Sequence, residues 1–227
     1  RSVRRRRSDR CLFGAVVAAV TGRARAPTPD PLVVRSLEFL GGMASDGGWR
    51  PPPRLPEVAF AGRSNVGKSS HIIRWVKGKK AARVSNTPGR TRETNFFDVN
   101  GQFILADLPG YGYARISKEQ RASWRPLIEG YLRDNPMLRG VVQLLDARHP
   151  PSDDDLQMLD FLASVGTPTI IVATKIDKVR PAERSERIAA LSRDAGVDVE
   201  QIIPFSAISG DGRDELAQAI VGLVASA

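Results

Sequence analysis

The sequence has a single cysteine, Cys11, and two histidines, His71 and His149. One cysteine excludes an internal disulfide framework and any zinc site built on several cysteines. No run approaches the roughly 18–20 consecutive apolar residues that a membrane-spanning helix requires. Internal repeats are also lacking. The remaining possibility is a chain of 227 residues whose apolar content, 41%, suffices for one compact domain with a tail.

A glycine-rich segment at residues 62–69, GRSNVGKS, fits the pattern G-x-x-x-x-G-K-[ST]. Its glycines allow successive backbone N–H groups to converge on a phosphate. Lys68 would supply a charge for the β- and γ-phosphates, and Ser69 a hydroxyl ligand for Mg²⁺. An apolar strand is predicted before the loop and a helix after it, as phosphate binding at a helix N-terminus requires. The predicted phosphate contacts are Gly62, Arg63, Ser64, Asn65, Val66, Gly67, Lys68 and Ser69.

If the bound phosphates belong to a nucleotide, a second polar segment, about a hundred residues later, is predicted to recognise its base. An apolar, β-branched run at residues 169–173 predicts a buried strand, and Thr174, Lys175, Ile176 and Asp177 follow it. The carboxylate of Asp177 can accept from both N1–H and the 2-amino group of guanine, donors that adenine does not offer. An unmade hydrogen bond to a charged group costs about 1.5–3 kcal/mol, so guanine is favoured. By itself this pattern is also compatible with a polar loop after a strand.

Two more segments complete a predicted nucleotide switch. A strand ending in Asp107, Leu108, Pro109 and Gly110 would place a carboxylate near Mg²⁺, through water, and the Gly110 amide near the γ-phosphate. Upstream, the Pro-Gly turn in residues 87–91, TPGRT, is typical of a mobile loop. Either Thr91 or Thr94 could give a second hydroxyl to Mg²⁺, and local chemistry does not separate them. Loops of this kind order around γ-phosphate and Mg²⁺ and relax after hydrolysis.

Six motifs in this order resemble the EngB family of ribosome-biogenesis GTPases, relatives of Era and TrmE. They are GRSNVGKSS (62–70), TPGRT (87–91), NFF (95–97), DLPGYGYA (107–114), LDARH (145–149) and TKID (174–177). The resemblance covers about residues 57–224. It implies a Ras-like α/β fold, a doubly wound and mostly parallel sheet of six strands. It also implies a cytoplasmic GTPase with slow hydrolysis that acts in maturation of the large ribosomal subunit. The alternatives are a nucleotide-dependent binding scaffold with negligible turnover and another P-loop NTPase, such as an ATPase or a small-molecule kinase.

The resemblance also implies the site residues. It places Mg²⁺ on Ser69 and Thr91, which favours Thr91 over Thr94, and catalytic roles on Lys68, Thr91 and Gly110. Besides the phosphate loop, the implied GTP/GDP contacts are Gly89, Arg90, Thr91, Arg92, Glu93, Asp107, Leu108, Pro109, Gly110, Thr174, Lys175, Ile176, Asp177, Phe205, Ser206 and Ala207. The implied partner is the large-subunit precursor with its rRNA. We expect a monomer with no membrane or DNA partner.

Three residues bear on how closely this chain follows the family in helix packing, hydrolysis rate and use of cations. His71 occupies a helix position that is apolar in the family, which bears on packing more than on nucleotide chemistry. Tyr111 follows Gly110 where Ras-like enzymes place a Gln that orients water, so intrinsic hydrolysis should be slow. Asn65 suggests stimulation by K⁺, because Era- and TrmE-like relatives use an Asn there to help hold this ion. The alternative is that Asn65 only stabilises the turn.

The element pattern predicts strands near residues 57–61, 95–99, 102–107, 140–145, 169–174 and 202–205. Helices are predicted near 68–77, 117–134, 153–164, 181–195 and 213–225. This alternation is typical of a doubly wound sheet with ligands at the carboxyl ends of the strands. Asn100 and Gly101 predict a tight hairpin between the second and third strands. Trp124, Ile128 and Tyr131 share one helix face, which we interpret as core.

Charged residues are unevenly distributed along the chain: residues 1–26 and 60–150 are mainly basic, and residues 151–227 are mainly acidic. Residues 1–26, with eight Arg and one Asp, are predicted to be an extension, and residues 27–56, rich in Pro and Gly, a linker before the GTP-binding domain at 57–227. An organellar presequence, which would place the protein in an organellar matrix, and a secretory signal are the alternatives for the extension. Residues 60–150 hold sixteen basic and seven acidic residues, whereas 151–227 hold seven and thirteen. Seven basic residues and no acidic residue lie in 74–92, a run that is equally compatible with an RNA-facing surface whose docking depends on the switch state and with an ordinary solvated surface.

Overall fold

The computed structural model describes residues 33–45, 47–64, 66, 68, 93–111 and 118–225, with side chains omitted at 118–125. The Arg-rich extension, His71 and the basic run at 74–92 lie outside these residues. The helix predicted at 68–77 is described only at Lys68, which is helical.

In the described part of the chain, seven strands form one sheet in the order β1-β3-β4-β2-β5-β6-β7. The strands are β1 Leu37–Met43, β2 Glu57–Gly62, β3 Thr94–Val99, β4 Phe103–Asp107, β5 Leu138–Asp146, β6 Thr169–Thr174 and β7 Ile202–Pro204. β4, β2, β5, β6 and β7 run parallel, while β3 is antiparallel to both β1 and β4. The predicted doubly wound, mostly parallel sheet is confirmed.

The described helices are α1 Lys118–Arg133, α2 Asp153–Ser164, α3 Arg184–Ala195 and α4 Arg213–Ala225. Short 3-10 turns occupy Ile176–Lys178, Pro181–Glu183 and Val199–Gln201. The helix predicted at 181–195 therefore begins three residues later, after the turn that contains Pro181. None of the described helices combines the length and apolar character needed to cross a membrane.

Helices cover both faces of the sheet. On one face, α4 packs Leu216, Ile220 and Leu223 against β2, β5 and β6. On the other face, α1 and α2 pack on β2, β4 and β5, and α3 packs beside α2. Ile128 and Tyr131 of the predicted core face are buried there, whereas the side chain of Trp124 lies outside the described part of the chain. Because both faces are covered, β2 and β6 are buried along their whole lengths, in keeping with their apolar runs at 58–61 and 170–173.

The strand β1 was not predicted, and its residues had been assigned to the linker. It pairs antiparallel with β3 and joins the edge of the sheet. The hairpin at Asn100 and Gly101 is confirmed, since both residues have left-handed φ angles, 59° and 66°. Asn100 also holds the start of β1. Its Oδ1 accepts from the backbone N–H of Arg35 at 2.7 Å and of Ser36 at 3.0 Å, and its Nδ2 donates to the carbonyl of Val33 at 2.9 Å.

Candidate nucleotide-binding site

The phosphate loop leaves the carboxyl end of β2 and packs against the loop that follows β4. The backbone N–H of Ser64 donates to the carbonyl of Tyr111 at 2.8 Å. A Cβ built on Gly110 would lie 3.1 Å from both Cα and N of Ser64, tighter than ordinary van der Waals contact. A side chain at position 110 would therefore press on the phosphate-loop backbone. The structure thus brings together two motifs that are more than forty residues apart in the sequence.

Lys68 and Asp107 form a buried ion pair beside this contact. Nζ of Lys68 donates to Oδ1 of Asp107, and each side chain is 5% exposed. A buried ammonium needs an anion close by, because desolvation of an unpaired charge is costly. Phosphate oxygens can supply the same negative charge, so a nucleotide would compete with Asp107 for Lys68.

The described donor set is compatible with a magnesium ion. Among the described residues, no three His, Cys, Asp or Glu side chains are grouped to hold a metal. Magnesium in nucleotide sites retains several waters and needs few protein ligands, and Asp107 is a hard oxygen donor of the right kind. Ser69 and Thr91 lie outside the described residues. The alternative, Thr94, begins β3 with 0% exposure, and its hydroxyl has no hydrogen-bond partner in the described structure. Full burial shields the Thr94 hydroxyl from solvent, so it is a poorer candidate ligand for a hydrated magnesium ion than an exposed hydroxyl would be.

The hydroxyl of Tyr111 is directed into the space between β5 and α2. It donates to Oδ1 of Asp155 at 2.8 Å and accepts from Nε2 of Gln143. Asp155 is itself fixed by Ser152, whose backbone N–H and hydroxyl donate to its Oδ2 at 2.9 and 2.7 Å. Burial, and then the charge of Asp155, raise the pKa of Tyr111 well above its ordinary value. The phenol is therefore neutral at physiological pH and already hydrogen-bonded, so it is not placed to activate water.

The loops after β6 and β7 carry the residues that are predicted to recognise the base. The hydroxyl of Ser206 accepts from the backbone N–H groups of Ile208 and Ser209, both at 3.1 Å. Its one proton is then available for Oδ1 of Asp177, to which it donates at 2.7 Å. This bond orients the carboxylate and leaves Oδ2 for another donor. Lys178 approaches Oδ2 only to 3.7 Å and is itself largely exposed.

Thr174, at the end of β6, connects the loop that follows this strand to the phosphate loop. Its fully buried hydroxyl lies 3.2 Å from the carbonyl of Val66 in the phosphate loop and 3.0 Å from the carbonyl of Leu145 at the end of β5. Because a hydroxyl carries one proton, it can donate to either carbonyl but not to both at once. Nearby, the backbone N–H of Ile176 donates to the carbonyl of Phe205 at 3.2 Å. The predicted base-reading segments therefore lie side by side and contact the phosphate loop.

Several predicted site residues lie outside the described part of the chain and stay predictions: Asn65, Gly67, Ser69, Gly89, Arg90, Thr91 and Arg92. Glu93 is exposed immediately before β3. Arg63 forms an isolated bridge with Tyr111, and the backbone N–H of Leu108 donates to the carbonyl of Phe60 at 3.1 Å. Pro109 continues that loop, and Ala207 packs against the core that α4 covers.

Sequence reasoning gave no role to three polar residues that the fold brings to this edge: Gln143, Asp155, and Asp146 of the LDARH motif. Gln143 is fully buried in β5, where a polar residue interrupts an otherwise apolar run. Asp146 ends the same strand. An acidic residue at the carboxyl end of a parallel strand is the signal that could have identified it, because ligands bind at that edge.

Comparison with known proteins identifies the family. A family model described as "50S ribosome-binding GTPase" matches residues 57–175. A probable GTP-binding protein EngB of Gemmatimonas aurantiaca is 62% identical over 194 residues, covering 86% of this chain and 95% of that protein. The corresponding protein of Pelotomaculum thermopropionicum is 44% identical, over 82% of this chain and 94% of its own.

A solved structure extends the likeness to three dimensions. The crystal structure of a probable GTP-binding protein engB superimposes with a TM-score of 0.62 and 27% identity, covering 74% of this chain and 98% of that one. Its fold is a Ras-like P-loop GTPase domain, in keeping with the sheet order and the phosphate loop described above. The chain therefore belongs to the EngB family of GTP-binding proteins and is a P-loop GTPase.

Proposed function

We propose that this GTPase is a slow molecular switch that binds the precursor of the large ribosomal subunit in one nucleotide state and leaves it in the other. The observation that carries the proposal is the contact between Gly110 and Ser64, because it couples the γ-phosphate-sensing loop directly to the phosphate loop. A change at the γ-phosphate would reach both loops together. The match of residues 57–175 to a family described as ribosome-binding supports the choice of partner.

Slow hydrolysis is part of this proposal. Tyr111 replaces the water-orienting Gln of Ras-like enzymes, and its phenol is committed to Asp155 and Gln143. With that position occupied by a hydrogen-bonded tyrosine, the chain lacks the usual group at this place to align the attacking water. The turnover of the free protein should be on the order of unassisted Ras, about 10⁻⁴ per second, or below.

Two cations belong to the proposed site. Mg²⁺ would be held by Ser69 and Thr91, with Asp107 acting through water, and it would neutralise charge on the β- and γ-phosphates. Asn65 would help to hold K⁺. If so, hydrolysis should rise when K⁺ replaces Na⁺ at matched ionic strength, and equal turnover in the two salts would remove the K⁺ proposal.

The proposed ribosomal contact is the basic run at residues 74–92, including Lys79 and Lys80. Lysine and arginine attract RNA phosphates and release counterions, so binding should weaken as salt rises. The acidic composition of residues 151–227 makes that half a poor RNA surface by comparison. We place the protein in the cytoplasm, where GTP and ribosomal precursors are available.

The test is co-sedimentation with large-subunit precursor particles in the presence of a non-hydrolysable GTP analogue or GDP. We expect binding with the analogue, release with GDP, and a loss of binding in K79A/K80A. R187A/R193A, which removes two charges from α3, is the matched control and should bind normally. Equal binding in both nucleotide states would contradict the switch. Single-turnover hydrolysis with and without particles distinguishes a slow GTPase from a nucleotide-dependent scaffold with negligible turnover.

A further inference from the structure

The register of β5 against β6 places Asp146 directly beside residues 174–177, the predicted base-reading segment. It is the last residue of β5, and in the parallel ladder it is paired with Thr174, the last residue of β6. The backbone N–H of Ala147 donates to the carbonyl of Thr174 at 2.9 Å, which holds the two strand ends together. Any side chain at position 146 is therefore a neighbour of the segment that ends in Asp177.

The carboxylate of Asp146 is bound on both oxygens. Oδ1 accepts from Nε of Arg148 at 2.9 Å and from its backbone N–H at 3.1 Å. Oδ2 accepts from a terminal guanidinium nitrogen of Arg148 at 2.7 Å and from Nζ of Lys175 at 2.9 Å. The two-pronged contact from Arg148 fixes the plane of the carboxylate, and so fixes where the ammonium of Lys175 is held.

The positive charges of Arg148 and Lys175 keep the carboxyl group of Asp146 ionised, which strengthens these hydrogen bonds. Partial burial by itself would raise the pKa of Asp146, but hydrogen bonds from Arg148 and Lys175 outweigh it and hold that pKa well below its usual range. Asp146 is thus ionised throughout the physiological range. Its side chain is 18% exposed and that of Lys175 is 21% exposed, so water screens the pair only in part.

The backbone of Lys175 is also fixed. It has a left-handed φ of 60°, and its carbonyl accepts from the N–H of Lys178 at 2.9 Å. With the Cα and the ammonium both held, the four-carbon stem between them follows a restricted path. An apolar stem that is already ordered loses little conformational freedom when a flat base packs on it.

We propose that Asp146, clamped by Arg148, is a positioning residue for guanine recognition that acts through Lys175. It has two effects. It orders the stem that covers the base, and it keeps the Lys175 ammonium away from Asp177, the carboxylate two residues along the chain. Without Asp146, that ammonium would be drawn to Asp177 and would compete with the guanine N1–H and 2-amino donors.

The test compares D146N with the wild-type protein for unlabelled GDP, GTP and IDP, measured by competition against a fluorescent ribose-labelled GDP. We expect the affinities for GDP and GTP to fall equally, by about five- to tenfold, because the base is the same in both. IDP lacks the 2-amino group, so the GDP-to-IDP preference should narrow. The KM for GTP should rise by the same factor, with kcat changed less than twofold. D160N, which alters an exposed acid on α2, is the matched control.

A double-mutant cycle separates positioning from general loss of structure. In a K175M background, D146N should add little, because the ammonium that it positions has been removed. Additive losses in the cycle, or wild-type GDP affinity in folded D146N, would overturn the proposal. If D146N does not fold, R148Q retains Asp146 and only loosens its clamp. We expect a smaller loss of GDP affinity in the same direction, and no loss would also overturn the proposal.

Discussion

Oδ1 of Asp155 accepts a hydrogen bond from the phenol of Tyr111 at 2.8 Å, although 44 residues separate them in the sequence. Asp155 is in the first turn of α2, and its carboxylate completes a capping box with Ser152. Tyr111 is the residue after Gly110 in the loop that follows β4. This hydrogen bond therefore attaches that loop to the N-terminus of α2, which packs on the opposite face of the sheet from α4.

Replacing Tyr111 by phenylalanine should reduce stability and leave hydrolysis nearly unchanged. The substitution removes one hydroxyl and leaves Gln143 and Asp155 without that partner, which should cost about 1–3 kcal/mol of unfolding free energy. The turnover number should change less than twofold, since the phenol is held by Asp155 and Gln143. Urea unfolding and single-turnover hydrolysis measure the two effects.

A second buried tyrosine provides the matched control for that experiment. Tyr131 donates to Oε2 of Glu57 at 2.6 Å, at the amino end of β2 and far from the carboxyl-edge loops. Y131F should lose stability to a similar degree without any effect on hydrolysis. A tenfold fall in hydrolysis in folded Y111F, with Y131F unaffected, would mean that the phenol takes part in catalysis.

Asp177→Asn should change the base preference of the protein. An amide cannot accept from both guanine donors as a carboxylate does, so GDP affinity should fall at least about tenfold. The amide N–H₂ can instead donate to the 2-oxo group of xanthine, so affinity for XDP should rise. Calorimetry with both nucleotides tests this, with D160N as the control. Unchanged GDP binding would show that Asp177 does not contact the base.

The parts of the site that the sequence predicts are those where chemistry requires particular residue types at a fixed spacing. The phosphate loop, the Asp107 loop and the base-reading segment each follow a strand whose apolar run is recognisable, and the sheet places those strand ends together. The contacts of Tyr111 were not predictable in this way. Gln143 and Asp155 are 32 and 44 residues from it, and no local pattern connects residues at such distances.

The strand β1 was missed for a different reason. Its sequence, LEFLGGM, carries two glycines and follows a proline-rich segment, which favours a linker interpretation. The β-propensity of these residues alone does not make this segment a strand. Pairing with β3 and the hydrogen bonds from Asn100 supply what the local sequence lacks, and these contacts come from residues about sixty positions away.

Asn100→Gly should therefore detach β1 selectively. Glycine keeps the left-handed turn conformation but removes three side-chain hydrogen bonds to the segment before β1, worth about 1–2 kcal/mol together at an exposed site. Hydrogen exchange should speed up in residues 37–43 and remain unchanged in β6. N100D, which keeps the acceptor and loses the donor, should give an intermediate effect. Equal exchange in all three proteins would mean that strand pairing alone holds β1.

Alkaline pH should destabilise the protein through Tyr111 and Tyr131, two buried tyrosines of the part of the chain that the structure describes. Burial, and then the charges of Asp155 and Glu57, raise the pKa of Tyr111 and of Tyr131 well above the ordinary value of 10.0. Above pH 10 the unfolded chain loses these phenolic protons while the folded chain retains them, so the unfolding free energy falls as pH rises. Between pH 9 and 11 each tyrosine contributes a mean slope of about 0.7 kcal/mol per pH unit, because the unfolded phenol is only partly deprotonated over this range. Urea unfolding at pH 9 to 11 should show a slope that is shallower by this amount in Y111F and in Y131F. An identical slope in the wild-type protein and both variants would mean that these phenols titrate alike in the folded and unfolded states.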